Sequence, residues 1–107
     1  MGDTSLFAAV WEYRVRKGRE REFEALYGPE GDWVLLFRRS AGYIRTEFFH
    51  DLSHGGHYLT IDYWDSEDSH RRFRSAFERE FRELDARGEL LTEKETPLGR
   101  FRTPGSR

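Results

Sequence analysis

The apolar positions of this chain change period several times, and each change marks an element. The sharpest change falls within residues 57–81, HYLTIDYWDSEDSHRRFRSAFEREF. Tyr58 to Trp64 are β-branched and aromatic with partial alternation, which predicts a strand. Leu59, Ile61 and Tyr63 take one face; Tyr58, Thr60, Asp62 and Trp64 take the other. Beyond Asp65-Ser66 the apolar residues become Phe73, Phe77, Phe81 and Leu84, one stripe of an α-helix. Asp65 or Ser66 can cap that helix, and Glu67 and Asp68 place negative charge where its dipole favours it. The helix should run to about Ala86, bend near Ser75 and end on Gly88 as a C-terminal cap. Its phenylalanines need a broad surface to bury against, and a sheet containing the preceding strand provides one.

Residues 6–15, LFAAVWEYRV, predict the first strand, with Phe7, Ala9, Trp11, Tyr13 and Val15 on one face. The other face carries Leu6, Ala8 and Val10 before it turns charged at Glu12 and Arg14. A strand apolar on both faces is covered on both. After the Lys17-Gly18 turn, residues 20–27 form a helix with Phe23, Leu26 and Tyr27 on its apolar side. Gly28-Pro29-Glu30-Gly31 breaks it, and Asp32 caps a second segment, 33–39, with Trp33, Leu36 and Phe37 inward. Residues 43–50 are the second strand, joined through DLSHGG to the third as a hairpin. Residues 89–101 are the last strand, in which Pro97 marks an edge or a bulge.

The order strand, helix, strand, strand, helix, strand, with right-handed crossovers, puts the helices on one face of a four-stranded antiparallel sheet. That is an α+β, ferredoxin-like βαββαβ fold. The expected organisation is a disordered N-terminus at 1–5, one domain at 6–101 and a polar tail at 102–107. The helix-free face should be shielded by a second copy of the chain.

Composition narrows the function. The 107 residues suffice for one core. A net charge of −2 argues against nucleic acid and anionic membrane surfaces as partners. The absence of cysteine excludes disulfides and thiolate chemistry and fits a cytoplasmic protein. No apolar run approaches a membrane span and no signal-peptide pattern opens the chain. Aromatic residues make up 16% of the chain, enough to fill a core, line a slot for a flat ligand or build a subunit interface.

FAAVWEYRVRKGREREFEALY, the glycine-led strand GYIRTEFF and the joint YLTIDYWDSEDSHRRF together resemble the antibiotic biosynthesis monooxygenase-like family of the dimeric α/β-barrel superfamily. Its most specific piece is Tyr63-Trp64-Asp65-Ser66 followed by Phe73. The resemblance implies a homodimer joined through its sheets, with a pocket in each subunit between sheet and helices. Some members oxidise phenolic or anthrone-like substrates to quinones with O2 and no cofactor, and others degrade haem. The haem-degrading branch has an asparagine where this chain has Tyr13. It also has a ligating histidine where Phe81, Arg82 and Glu83 stand here, so this helix offers no axial ligand. The chain contains no asparagine at all, which also sets it apart from quinone-forming members in which a pocket asparagine is invoked.

Oxygenation without a cofactor needs an ionisable, electron-rich substrate, a dry aromatic slot and a polar group beside the phenol. Tyr13 and His70 are the candidate catalytic groups. Trp11, Trp33, Phe37, Tyr63, Trp64 and Phe73 are the candidate substrate-binding residues; core packing competes for each. Asp62 and Arg45, on adjacent strands, are expected to pair across the sheet or at the dimer interface rather than to act in catalysis. His50, His54 and His57 have spacing suited to a metal but flank a flexible loop, so no metal and no cofactor is expected. The expected activity is a cofactor-independent monooxygenase for a flat aromatic or phenolic metabolite. The alternative is a non-catalytic dimeric small-molecule-binding or stress-related module.

Overall fold

The first strand sets the architecture, because its neighbours pair with it on both edges. In a computed structural model that describes residues 5–104, β1 (Phe7–Val15) is followed by α1 (Glu20–Tyr27) and α2 (Asp32–Phe37). Next come β2 (Tyr43–His50), β3 (His57–Trp64), α3 (Glu67–Ala76), α4 (Glu78–Leu91) and β4 (Thr92–Arg102). The strands form one antiparallel sheet in the order β2-β3-β1-β4, with the helices packed on one face. This is the ferredoxin-like α+β fold expected from the element order. The expected disordered N-terminus and polar tail fall largely on residues 1–4 and 105–107, outside the described residues. The last strand runs past Phe101, and Thr103 N donates to Leu6 O at 2.9 Å.

Several boundaries differ from expectation, each for a local reason. Asp32 is the first residue of α2 and Gly31 its N-cap, so Asp32 supplies first-turn charge and not the capping position. The long helix breaks at Phe77, whose φ of −117° and ψ of 34° leave the helical region. Gly88 lies inside α4 and does not end it; the helix continues to Leu91, shortening the last strand at its start. Pro97 sits in edge strand β4 opposite Trp11, beside a register shift between Val10 and Trp11, as expected for a proline within a sheet.

The β3–α3 joint is fixed by side-chain bonds. Ser66 caps α3 by accepting from Ser69 N at 3.0 Å, and Ser69 Oγ donates to Asp65. Asp65 N donates to Gly42 O at 2.7 Å, tying the start of β2 to the same corner. Gly42 has φ +93°, and a Cβ there would stand 2.5 Å from the Ser69 side chain, so only glycine fits. Beneath the helices, Phe23, Tyr58, Trp64 and Phe73 are fully buried. Each such ring contributes roughly 1.5–3 kcal/mol through burial.

The helix-free face keeps an apolar stripe of Val10, Leu59 and Ile61, with Phe49 and Phe101 about half exposed at its borders. Glu12, Arg45, Glu47 and His57 surround it. His57 is clamped there, its Nδ1 2.7 Å from Asp51 and its Nε2 2.6 Å from Glu12. Those bonds, Asp51's first, raise the imidazole's pKa, and Asp51 is held down to about 2. The three loop histidines do not converge on one point: His54 Nδ1 lies 3.4 Å from the same Asp51 oxygen as His57, while His50 stacks on Tyr58 and its Nε2 bonds to Gly55 O.

Candidate functional site: a cavity between sheet and helices

A cavity opens where the helix-covered face of the sheet carries short side chains. Strand register aligns Ala9 with Asp62 and Asp62 with Thr46, while Thr60 lies opposite Trp11. Ala9, Thr46, Thr60 and Asp62 therefore form a low floor across three strands. Larger rings stand around them: Trp11 and Tyr13 from β1, Tyr27 from α1, Trp33 and Phe37 from α2, and Phe81 from α4. The enclosed space is about 450 Å³, within the range that holds a small organic ligand. Its mouth carries His70 and Arg74 from α3, Asp85 from α4, and Glu95 and Arg100 from β4.

The floor is polar at one point. Thr46 Oγ1 donates to Asp62 Oδ1 at 2.7 Å, which commits the threonine proton, so the Tyr43 hydroxyl 2.8 Å away donates to Thr46. The chain Tyr43→Thr46→Asp62 satisfies one carboxyl oxygen. Burial pushes the Asp62 carboxyl up to about 6, with the Thr46 bond pulling the other way. The Tyr13 hydroxyl receives only a long bond from Thr60 at 3.5 Å, and burial holds its pKa well above the usual range, so it stays protonated. Tyr27 donates to Glu95 at 3.1 Å; burial above all raises the pKa of both. His70 packs against Phe7 and Trp64. Burial, with Arg74 adding to it, pushes its pKa down to about 4, so it is neutral at pH 7.

Of the residues singled out in the sequence, Trp11, Tyr13, Trp33, Phe37 and His70 line this one cavity. Tyr63 does not, because strand alternation puts it on the opposite face from Trp64. There its hydroxyl binds Glu47 at 3.0 Å and its ring lies under Arg45. Trp64 from β3 and Phe73 from α3 meet between sheet and helices but are sealed in the core at 0% exposure, with Phe37 packed edge-on against both rings. The expected Asp62–Arg45 pair is absent for the same alternation: Arg45 sits on the helix-free face near Glu47, while Asp62 faces the helices. Asp62, Thr46, Thr60 and Arg74 are the site residues that sequence reasoning passed over. The signal for Asp62 was its position beside Thr60 and Trp64 on the helix-covered face of a central strand.

Among described residues, Asp85, Glu89 and Glu95 bring carboxylate oxygens within 4.8 Å of one another at the mouth. Glu95 is engaged by Tyr27.

The family model for antibiotic biosynthesis monooxygenases matches residues 6–87, which include both central strands and the whole cavity floor. The chain belongs to that family. SnoaB from Streptomyces nogalater, a cofactor-independent oxygenase, superposes with a TM-score of 0.74 at 17% identity, covering 97% of this chain and 95% of that one. A conserved protein from Methanosarcina mazei Go1 gives a TM-score of 0.68 at 16% identity, with 96% and 95% covered. A NIPSNAP family protein from Agrobacterium tumefaciens gives 0.62 at 16% identity, with 92% and 90% covered. At these identities the family's fold is what the neighbours share with this chain. No curated protein matches the sequence.

Proposed function

We propose that this family member is a cofactor-independent monooxygenase for a flat phenolic or enolisable aromatic metabolite, working as a homodimer. The observation that carries the reading is the cavity itself: aromatic walls around a floor of short side chains with one half-buried carboxyl. A flat ring system fits between Trp11 and Tyr13 on one side and Trp33, Phe37 and Phe81 on the other. Held there, an electron-rich anion is shielded from bulk water and can give electrons to O2. Tyr13, protonated and weakly engaged, is placed to donate a hydrogen bond to a ligand oxygen. Membership of the family and likeness in fold to a cofactor-independent oxygenase support the same chemistry.

The helix-free face supports the homodimer. Val10, Leu59 and Ile61, flanked by Phe49 and Phe101, leave an apolar surface that a second sheet would cover. A cavity filled by side chains and holding no polar group would favour binding or a purely structural role. An open cavity holding Tyr13, Asp62 and His70 favours catalysis.

The test is incubation with a panel of anthrones and hydroquinones, aerobically and anaerobically, followed by O2 uptake and quinone absorbance. O2-dependent quinone formation without added metal or organic cofactor is expected; no turnover across the panel overturns the proposal.

A further inference from the structure

Asp62 is the carboxyl group on the floor of the cavity, and only one of its oxygens is engaged. The Thr46 hydroxyl occupies Oδ1, and no other hydrogen bond to the group exists among the described residues. The residue is partly accessible and lines the cavity, so its free oxygen is available to a ligand there. From the Tyr43→Thr46→Asp62 chain and this placement, we infer that Asp62 is the catalytic residue that takes the hydroxyl proton of a phenolic or enolic substrate. The inference rests on the oxygenase reading and assigns the base within it.

In the step so assigned, the substrate O–H bond breaks, its proton goes to Asp62 and the electron pair stays on the substrate oxygen. For an anthrone-type substrate bound as its enol tautomer, the resulting enolate reduces O2. A carbon–oxygen bond forms at the ring C–H carbon opposite the enolate oxygen as the carbonyl is restored. Asp62 returns its proton to the resulting peroxide anion. Loss of the remaining C–H proton and cleavage of the O–O bond then release water and leave a quinone carbonyl. The substrate loses two hydrogens and gains one oxygen, and O2 takes up the four electrons.

The other groups around the cavity do not serve as well. Tyr13 from β1 and Tyr27 from α1 are held protonated, and Tyr43 from β2 already donates into the chain. His70 from α3 is neutral at pH 7, but burial makes it a weaker base than Asp62. Arg74 from α3 and Arg100 from β4 are cations at the mouth and cannot accept a proton. Asp85 from α4 and Glu95 from β4 also stand at the mouth, where Tyr27 already occupies one Glu95 oxygen. Of these titratable groups, Asp62 is the one on the floor between the aromatic walls.

The experiment compares wild type with D62N and T46V, folding being checked by circular dichroism. With an anthrone, wild-type kcat/KM should rise with pH along a limb near pH 6. D62N should lose roughly 10²- to 10⁴-fold in rate, and that limb with it. T46V should move the limb to higher pH, since the lost bond favours the charged carboxylate. An unchanged limb in D62N overturns the assignment. Binding provides a readout independent of turnover: 2-hydroxyanthraquinone and its methyl ether are titrated into each protein without O2. Wild type should prefer the hydroxyl compound at least about tenfold and D62N less than about twofold. Equal preference in the two proteins, or no binding of either compound, overturns the assignment. If wild type consumes no O2 yet discriminates the hydroxyl through Asp62, the oxygenase reading falls and the proton-accepting role stands.

Discussion

The hydroxyl of Tyr27 occupies the space in which a side chain at Gly88 would begin: a Cβ there would lie 2.0 Å from it. A glycine within α4 thus lets α1 approach closely enough for Tyr27 to reach Glu95 at 3.1 Å. Both partners of that bond line the cavity.

Gly88→Ala should therefore destabilise, although alanine is the better helix former. The helix gains about 1 kcal/mol from propensity, while forcing Tyr27 aside costs about 1–3 kcal/mol. Urea unfolding should show a lower midpoint with an unchanged slope. Tyr27→Phe combined with Gly88→Ala should recover part of the loss, because the clashing oxygen is gone.

Tyr63 and Trp64 adjoin in sequence and should respond in opposite ways. Trp64→Ala empties a fully buried site and should cost about 3–5 kcal/mol. Tyr63→Ala removes a ring from the helix-free face, so it should leave ligand affinity in the cavity within about twofold. Thermal unfolding and a dye titration on both variants check the contrast.

Much of this fold was legible because the apolar period switches from two to 3.6 at Asp65-Ser66, and a capped helix does start there. The site was harder to read. Counting aromatics found four cavity-lining residues, Trp11, Tyr13, Trp33 and Phe37, but it also drew in Tyr63, which alternation had already assigned to the other face. It also drew in Trp64 and Phe73, which no local pattern separates from a cavity wall. Whether a helix-facing ring is sealed or open depends on what lies across from it, and cross-strand register is not a local property. The cavity exists because Ala9 from β1 comes into register with Thr46, Thr60 and Asp62 of the β2–β3 hairpin, a part of the chain far from it in sequence. Gly88 misled for a similar reason: a helix-ending glycine and one that admits a neighbour's hydroxyl look alike in sequence.

Ile61 lies at the centre of the apolar stripe on the helix-free face. Ile61→Asp should halve the mass seen by sedimentation velocity at micromolar concentration, because an unpaired carboxylate cannot be buried in a subunit interface without a large cost. The variant's far-ultraviolet spectrum should remain that of a folded chain. A wild-type protein that already sediments as a monomer would contradict the proposed dimer.

His70 gives the protein an acid-sensitive component. Its pKa falls from an ordinary value of 6.5 to about 4 on folding. Between those values the unfolded chain takes up a proton that the folded chain refuses. Its contribution is complete above pH 6.5 and is lost as the pH falls through 4. His70→Phe removes the titration, so its stability should fall less steeply than wild type's between pH 6.5 and 4. The difference across that window should be about 2–3 kcal/mol, measured by urea unfolding at half-unit pH intervals.

Asp62 acts in the opposite sense across almost the same window. Its folded pKa is raised to about 6 from an ordinary 3.8, so here it is the folded chain that takes up a proton the unfolded chain does not. Stability from this group is complete below pH 3.8 and is lost as the pH rises to 6, leaving a charged carboxylate beneath the cavity at neutral pH. Asp62→Asn removes that charge. It should therefore be more stable than wild type at pH 8, by up to about 3 kcal/mol, with the advantage shrinking toward pH 4. Because the two groups oppose each other, Asp62→Asn should also expose the full acid-induced loss due to His70. A site kept for catalysis predicts this trade: the variant that loses turnover gains stability where the enzyme would work. If Asp62→Asn is destabilised at pH 8 as much as at pH 4, the carboxyl is a structural partner of Thr46 and not a group strained by its position.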